Sequence, residues 1–150
     1  MSHNPNLNGT KKYGVLLDAS LKIIKQDITQ RFRSENIDLT PEQWALLAEL
    51  AEHGEQSQKE LASSTFKDAP TISRIIDLLH KRGYIDRKSD NGDRRKFLIS
   101  LTPSGQAIYE RSAPMIRAAR LVGWEGLSDS DYTHLKDILR KVTNNIVESR

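Results

Sequence analysis

Apolar residues recur at three- and four-residue steps through most of this chain, and one stretch of strand-forming residues surrounds an Asn-Gly pair, which predicts a mostly helical protein with a single hairpin. Tyr13, Leu16, Leu17, Leu21, Ile24, Ile28 and Phe32 make the stripe of a long first helix ending near Ser34. Thr40-Pro41-Glu42-Gln43 starts a second, with Thr40 as cap, proline at the first position and Gln43 at the box position. Trp44, Leu47, Leu50 and Ala51 are its buried side, and His53-Gly54 ends it. Ser57-Gln-Lys-Glu60 has the form of a capping box for a short third helix that carries Leu61 and Ala62 inward and weakens at Ser63-Ser64-Thr65. A turn near Phe66-Lys67 follows.

Asp68 is placed to cap a fourth helix, in which Pro70 is tolerated because its missing amide falls in the first turn. This helix runs to Arg82 and stops at Gly83, with Ile72, Ile75, Ile76 and Leu79 as one apolar stripe. A turn of about 100° per residue puts Pro70, Ser73, Arg74, Asp77 and Lys81 on the other side, with Thr71 and His80 flanking. Tyr84 to Lys88 and Phe97 to Leu101 then read as paired strands joined by a long loop, Ser89 to Lys96, that contains Asn91-Gly92. Two short helices followed by a basic hairpin are the order of a winged helix-turn-helix.

Thr102-Pro103 opens another helix through Ile108, Tyr109, Met115 and Ile116, with a bend or break expected near Pro114. Gly123-Trp124-Glu125-Gly126 should interrupt regular structure, with Trp124 as an anchor for the junction. Ser128 caps a last helix, in which Leu127 and Tyr132 are spaced as a hydrophobic staple and Leu135, Ile138, Leu139, Val142 and Ile146 continue the stripe. The terminal helices offer more apolar face than a small winged helix could cover, and a second subunit is the natural way to bury it. Met1 to Thr10 has nothing to pack and reads as a loose arm.

Composition narrows the possibilities. A chain of 150 residues is long enough for one compact domain with helical extensions. The absence of cysteine excludes disulfides, thiolate metal sites and thiol redox switches. No apolar run approaches the roughly 20 residues of a membrane span and no leader pattern opens the chain, so a cytoplasmic protein is expected, in which the glycosylation-like Asn8-Gly9-Thr10 is chance. Between Lys67 and Lys96 nine Lys and Arg face five Asp, while the whole chain has 23 Lys and Arg against 20 Asp and Glu. Positive charge is therefore concentrated on the helix and hairpin.

Short hydroxyls, an Arg fork and a Lys on the outward helical side suit phosphate oxygens and base edges. The Arg94-Arg95-Lys96 run alone is a solvated charged turn; behind a helix-turn-helix it is a tip that reaches a phosphate backbone or a minor groove. Arg74 has a competing role as an i+3 partner of Asp77. Asp77 would repel phosphate, so it orients Arg74 or Lys81 or accepts from a cytosine amino group. Glu49 and His53 are spaced like a metal pair, but with no cysteine and no second His nearby a surface ion pair is the better reading, and neither metal nor cofactor is expected. No phosphate-cradling loop or nucleophile elbow supports an enzyme. A winged helix used for protein contact remains the principal rival, and the basic outward residues argue against it.

Thr71-Ile-Ser-Arg-Ile-Ile-Asp-Leu-Leu-His-Lys-Arg-Gly-Tyr-Ile-Asp-Arg87, then Asp90-Asn-Gly-Asp-Arg-Arg95, then Leu98-Ile-Ser-Leu-Thr-Pro-Ser-Gly105 together resemble the MarR (multiple antibiotic resistance regulator) family of bacterial transcription factors, in its recognition helix, Asp-x-Arg wing and Leu-Thr-x-x-Gly junction. The resemblance runs from about Tyr13 to the C-terminus. It implies a homodimer, with dimerisation helices over residues 11–35 and 104–150 and a DNA-binding winged helix over 40–102. It further implies a repressor on a pseudo-palindromic operator, released in many relatives by a small phenolic or anionic effector. Double-stranded DNA would be met in the major groove by the helix residues Pro70, Thr71, Ser73, Arg74, Asp77 and Lys81, and at the wing by Arg94, Arg95 and Lys96. Asp93 would hold the wing by pairing with an Arg, and Trp44, although on a core stripe, borders the expected effector cavity. A regulator with no effector, governed by its own abundance, fits the sequence equally well.

Overall fold

A computed structural model describes residues 12–90 and 92–150, without the side chains of Asp90, Asp93, Arg94 and Arg95. The expected arm over Met1–Thr10 and Asn91 of the turn lie outside this set, as do the roles assigned to the Asp93, Arg94 and Arg95 side chains. Six helices and three strands follow in the order α1 (Tyr13–Ser34), α2 (Pro41–His53), β1 (Gln56–Ser57), α3 (Gln58–Ser64), α4 (Ala69–Lys81), β2 (Ile85–Asp90), β3 (Asp93–Leu101), α5 (Pro103–Gly123) and α6 (Asp129–Glu148). The chain divides into two compact units, one ending at Ile116 and the other spanning Arg117–Arg150.

The helix starts are fixed by local chemistry. Thr40, Ser57 and Ser128 each accept from the amide three residues on, and Gln43, Glu60 and Asp131 reach back to the cap amides, so all three capping boxes close. Gly83, at φ +79°, lets the chain turn out of α4. The first unit's core is one cluster in which Phe32 of α1, Leu46, Leu47 and Leu50 of α2, Leu61 of α3, Ile72, Ile76 and Leu79 of α4, Ile85 and Ile99 of the sheet and Ile116 of α5 meet. Ile37 and Leu39, in the link between α1 and α2, are also buried there.

The sheet corrects two expectations. Its order is β1-β3-β2, antiparallel throughout, and β1, whose Gln56 and Ser57 pair with Ile99 and Leu98, was not foreseen. The long loop expected over Ser89–Lys96 is mostly strand: β2 continues to Asp90 and β3 begins at Asp93, with an irregularity at Ser89/Asp90. Extending the ladder pairs backbone groups that a loop would leave to water. Of the bend or break expected near Pro114, the break is absent, since α5 is continuous through it. The carbonyl that loses its partner there belongs to the exposed Glu110, where water can take the place of the missing amide.

Where β3 hands over to α5, Thr102 ties the motif together. Its hydroxyl donates to the Gly83 carbonyl at 2.6 Å and accepts from the Gly105 amide at 3.0 Å, while its own amide donates to the Tyr84 carbonyl at 3.1 Å. This brings the first turn of α5 against the residues that leave α4. Gly105 is buried in the contact, and a Cβ there would fall 2.0 Å from the Tyr84 carbonyl oxygen.

In the second unit Trp124 Nε1 donates to the Ser128 carbonyl at 3.3 Å, and its ring meets Tyr132 edge-on at 6.0 Å, as an anchor for the junction should. No residue of α6 is buried. In α1 only Phe32 is buried, and Tyr13, Leu16, Leu17, Leu21 and Ile24 are exposed.

Because the obstacle at Gly105 is backbone, Gly105→Ala is expected to cost about 2 kcal/mol or more of stability, read from thermal or urea unfolding. A variant as stable as the parent would show that the α5 start can move away from Tyr84.

Candidate nucleic-acid interface

The candidate surface is built on α4, whose rotation is set by Ile72, Ile76 and Leu79, each at 0% exposure. With that side inward, Pro70, Arg74, Asp77 and Lys81 are exposed and Thr71 and Ser73 half-exposed, so all six expected residues share the outward side. Asp68 starts the helix by accepting from the Thr71 amide at 2.8 Å. Arg74 leans on the same turn, its Nη2 donating to Thr71 Oγ1 at 3.4 Å. Among the described residues neither Arg74 nor Lys81 pairs with a carboxylate, which leaves both cations for an external anion.

Asp77 has a partner that was not anticipated. It pairs with Arg87 of β2, and not with Arg74 or Lys81, and the Arg87 guanidinium lies 5.6 Å from the centre of the Phe97 ring on β3. Asp77 and Arg87 are ten residues apart, and the packing of α4 on β2 brings them together, while the strand pairing sets Phe97 near Arg87. At the far end of α4, Arg82 pairs with Asp38 at 3.1 Å, fixing the helix exit to the link before α2. On the hairpin, Lys88 lies 3.6 Å from Glu55, and Lys96 is exposed.

Trp44 is buried in α2 and stacked on Tyr109 of α5 at 5.9 Å. A separate open groove of about 260 Å³ runs past Lys25, Glu42, Glu49, Phe66 and Lys67 and does not include Trp44. In it Lys25 and Glu42 meet at 2.6 Å; burial would raise the Glu42 pKa, but the hydrogen bonds from Lys25 and its own amide, with the charges of Lys25 and Lys67, hold it below the usual value. Glu49 and His53 form a surface pair at 3.4 Å, and among the described residues no group of three His, Cys, Asp or Glu could hold a metal.

Known proteins share this arrangement. Residues 37–96 match the model of the MarR family. The HTH-type transcriptional repressor NicR of Pseudomonas putida is 34% identical over 104 residues, which cover 69% of this chain and 66% of NicR, just under two thirds of that relative's length. The structure of Bordetella bronchiseptica BpsR, whose DNA binding is regulated by 6-hydroxynicotinic acid, superposes with a TM-score of 0.78 at 26% identity, covering 89% of this chain and 94% of that one. S. aureus MepR in complex with DNA superposes at 0.81 with 25% identity, covering 91% and 99%.

The cap of α4 has a pH signature. Hydrogen bonds from the side chain and then the amide of Thr71 hold the Asp68 carboxyl below its ordinary value of 3.8. A carboxyl more acidic in the folded chain contributes stability that is complete above the ordinary value and is lost as pH falls through the folded one. The advantage of the parent over the D68N variant should therefore shrink below about pH 4, read from exchange of the first-turn amides of α4. A constant difference down to about pH 2 would mean that the charge of the cap is immaterial.

Proposed function

The chain belongs to the MarR family of transcription regulators, and from that premise we propose that it acts as a homodimeric repressor on a pseudo-palindromic DNA operator. The observation that carries this reading is the outward side of α4, where Arg74 and Lys81 stand exposed and without a carboxylate partner among the described residues, next to a basic hairpin. Arg74 and its neighbours Pro70, Thr71 and Ser73 serve the major groove, Lys81 a phosphate, and Arg94, Arg95 and Lys96 the wing contact, with Asp93 holding the hairpin. The exposed stripe of α1 and that of α6 each offer an apolar face to a second copy, in keeping with dimerisation over 11–35 and 104–150 and a reading lobe over 40–102.

A regulator of this kind is not an enzyme and works in the cytoplasm; among the described residues no helix is long and apolar enough to cross a membrane. NicR is a repressor and the DNA binding of BpsR is regulated by 6-hydroxynicotinic acid, which supports a small phenolic or anionic effector here. Trp44 is our candidate for a wall of its site. An effector that reached it would disturb the stack on Tyr109, so binding should change tryptophan emission.

Selection from a random DNA pool at about 0.15 M salt, where non-specific attraction is already screened, tests the reading directly. The expected result is a pseudo-palindrome with half-sites about one helical turn apart. Recovery of no motif would overturn specific DNA binding.

On the recovered operator, Arg74→Ala should cost about 1 to 3 kcal/mol and relax selectivity at one position of each half-site. Unchanged affinity would remove Arg74 from the readout. Arg95→Ala should weaken binding to all sequences alike and lower the slope of log affinity against log salt by about one. An unaltered slope would exclude a phosphate contact by the wing tip.

A further inference from the structure

Asp77 is the one acid of α4 and stands on its outward side, one turn from both Arg74 and Lys81. A carboxylate in that place repels phosphate, and a helix that only had to attract DNA would do better without it. Its partner explains what it does there. Arg87 is the less exposed of the two, at 27% against 63% for Asp77, and is held from below by the Phe97 ring and by its place opposite Ile99 in the ladder. The cation is thus fixed in the hairpin, and the helix reaches out to it.

The backbone joins α4 to the hairpin only at the turn around Gly83. Beyond the point where β1 leaves β3, at Leu98, the hairpin is a bare two-stranded ribbon with an irregularity at Ser89/Asp90, and Arg87, opposite Ile99 where β1 still pairs, stands at its root. Such a ribbon is poorly held by its own ladder. Besides the buried cluster that Ile76 and Leu79 share with Ile85 and Ile99, Asp77 and Arg87 tie the root of that ribbon to the C-terminal half of α4 by a polar contact.

We propose that Asp77 and Arg87 form a positioning latch that sets the angle of the wing to the recognition helix, and that Asp77 reads no base. The proposal rests on the DNA-binding reading above and adds a positioning role for Arg87. An ordered wing binds better because less freedom is lost at the operator, and the pair, being neutral, cancels the repulsion Asp77 would otherwise exert.

The full chain and its D77N, R87Q and D77N/R87Q variants decide this on the operator recovered from the pool, by affinity, salt slope and hydroxyl-radical footprint. The latch predicts that D77N weakens binding about fivefold, although it removes a negative charge from the DNA side. R87Q should do the same, and the double variant should be no weaker than the weaker single one. Protection of the minor groove under the wing should fade in all three while protection under α4 persists, and the salt slope should fall by about one.

Equal or tighter binding by D77N, with a steeper salt slope, would overturn the latch and leave Asp77 as a plain repulsive charge. Fully additive losses in the double variant would overturn it too. R87K, which keeps the charge but not the fork, should recover part of what R87Q loses. Asp77 is at the surface, so if R87Q melts early the D77N comparison decides alone. Failure of the parent chain to select any operator would instead overturn the DNA-binding reading, and it is seen before any variant is compared.

Discussion

Complete burial of Ile72, Ile76 and Leu79 is the constraint from which the rest follows, because it allows α4 a single rotation about its axis. Each of these side chains contributes about 1.5 to 3 kcal/mol when fully buried, whereas the exposed residues opposite lose nothing by facing water. Turning the helix by one residue would carry Ser73 and Asp77 into the core, and neither has a buried partner waiting there. The orientation of Arg74 and Lys81 is thus a result of core packing and not of anything they touch themselves. The outward surface of α4 is obtained as the remainder of a helix whose other side is fully committed.

A helix fixed in rotation must also be fixed along its length and against its neighbours. Asp68 closes its first turn, Arg82 ties its exit to Asp38, and Thr102 binds the residues after it to the start of α5. Gly105 lets that last contact be close, since the α5 backbone there approaches the Tyr84 carbonyl as no side chain would permit. The Leu-Thr-x-x-Gly pattern visible in the sequence is therefore a geometric device, in which threonine makes the hydrogen bonds and glycine makes the room.

What could be read from the sequence was what short-range chemistry decides. The caps at Thr40, Ser57, Asp68 and Ser128 depend on residues three apart, and the stripe of α4 on residues three and four apart, so each was visible before any fold was known. The misses in the sheet and at Asp77 needed distant partners. Strand β1 exists because Ile99 and Leu98 come alongside Gln56 and Ser57, and neither segment announces the other. Hairpin strands extend past their apolar residues because backbone pairing does not require them, which turned an expected loop into ladder. Asp77 was expected to orient Arg74 or Lys81 or to accept from a base, but its partner is Arg87, ten residues on, brought to it by the packing of α4 on β2. At Pro114, where a bend or break was expected, α5 is unbroken, and the residue whose carbonyl loses its partner, Glu110, is exposed.

The second unit shows what one chain leaves unfinished. α6 has 20 residues, closes its capping box and still buries none of its side chains. An isolated helix of that length is marginal in water, because propensity and a cap supply far less than packing of an apolar side. Tyr132, Leu135, Ile138 and Ile146 are exposed along it, so the surface that should stabilise the helix must come from elsewhere. A second copy of the same chain brings matching stripes at equal concentration and, by two-fold symmetry, a second α4. In the proposed dimer the need to cover α6 and the need to read two half-sites would be met by one association, which would make the stability of the dimer a precondition for recognition.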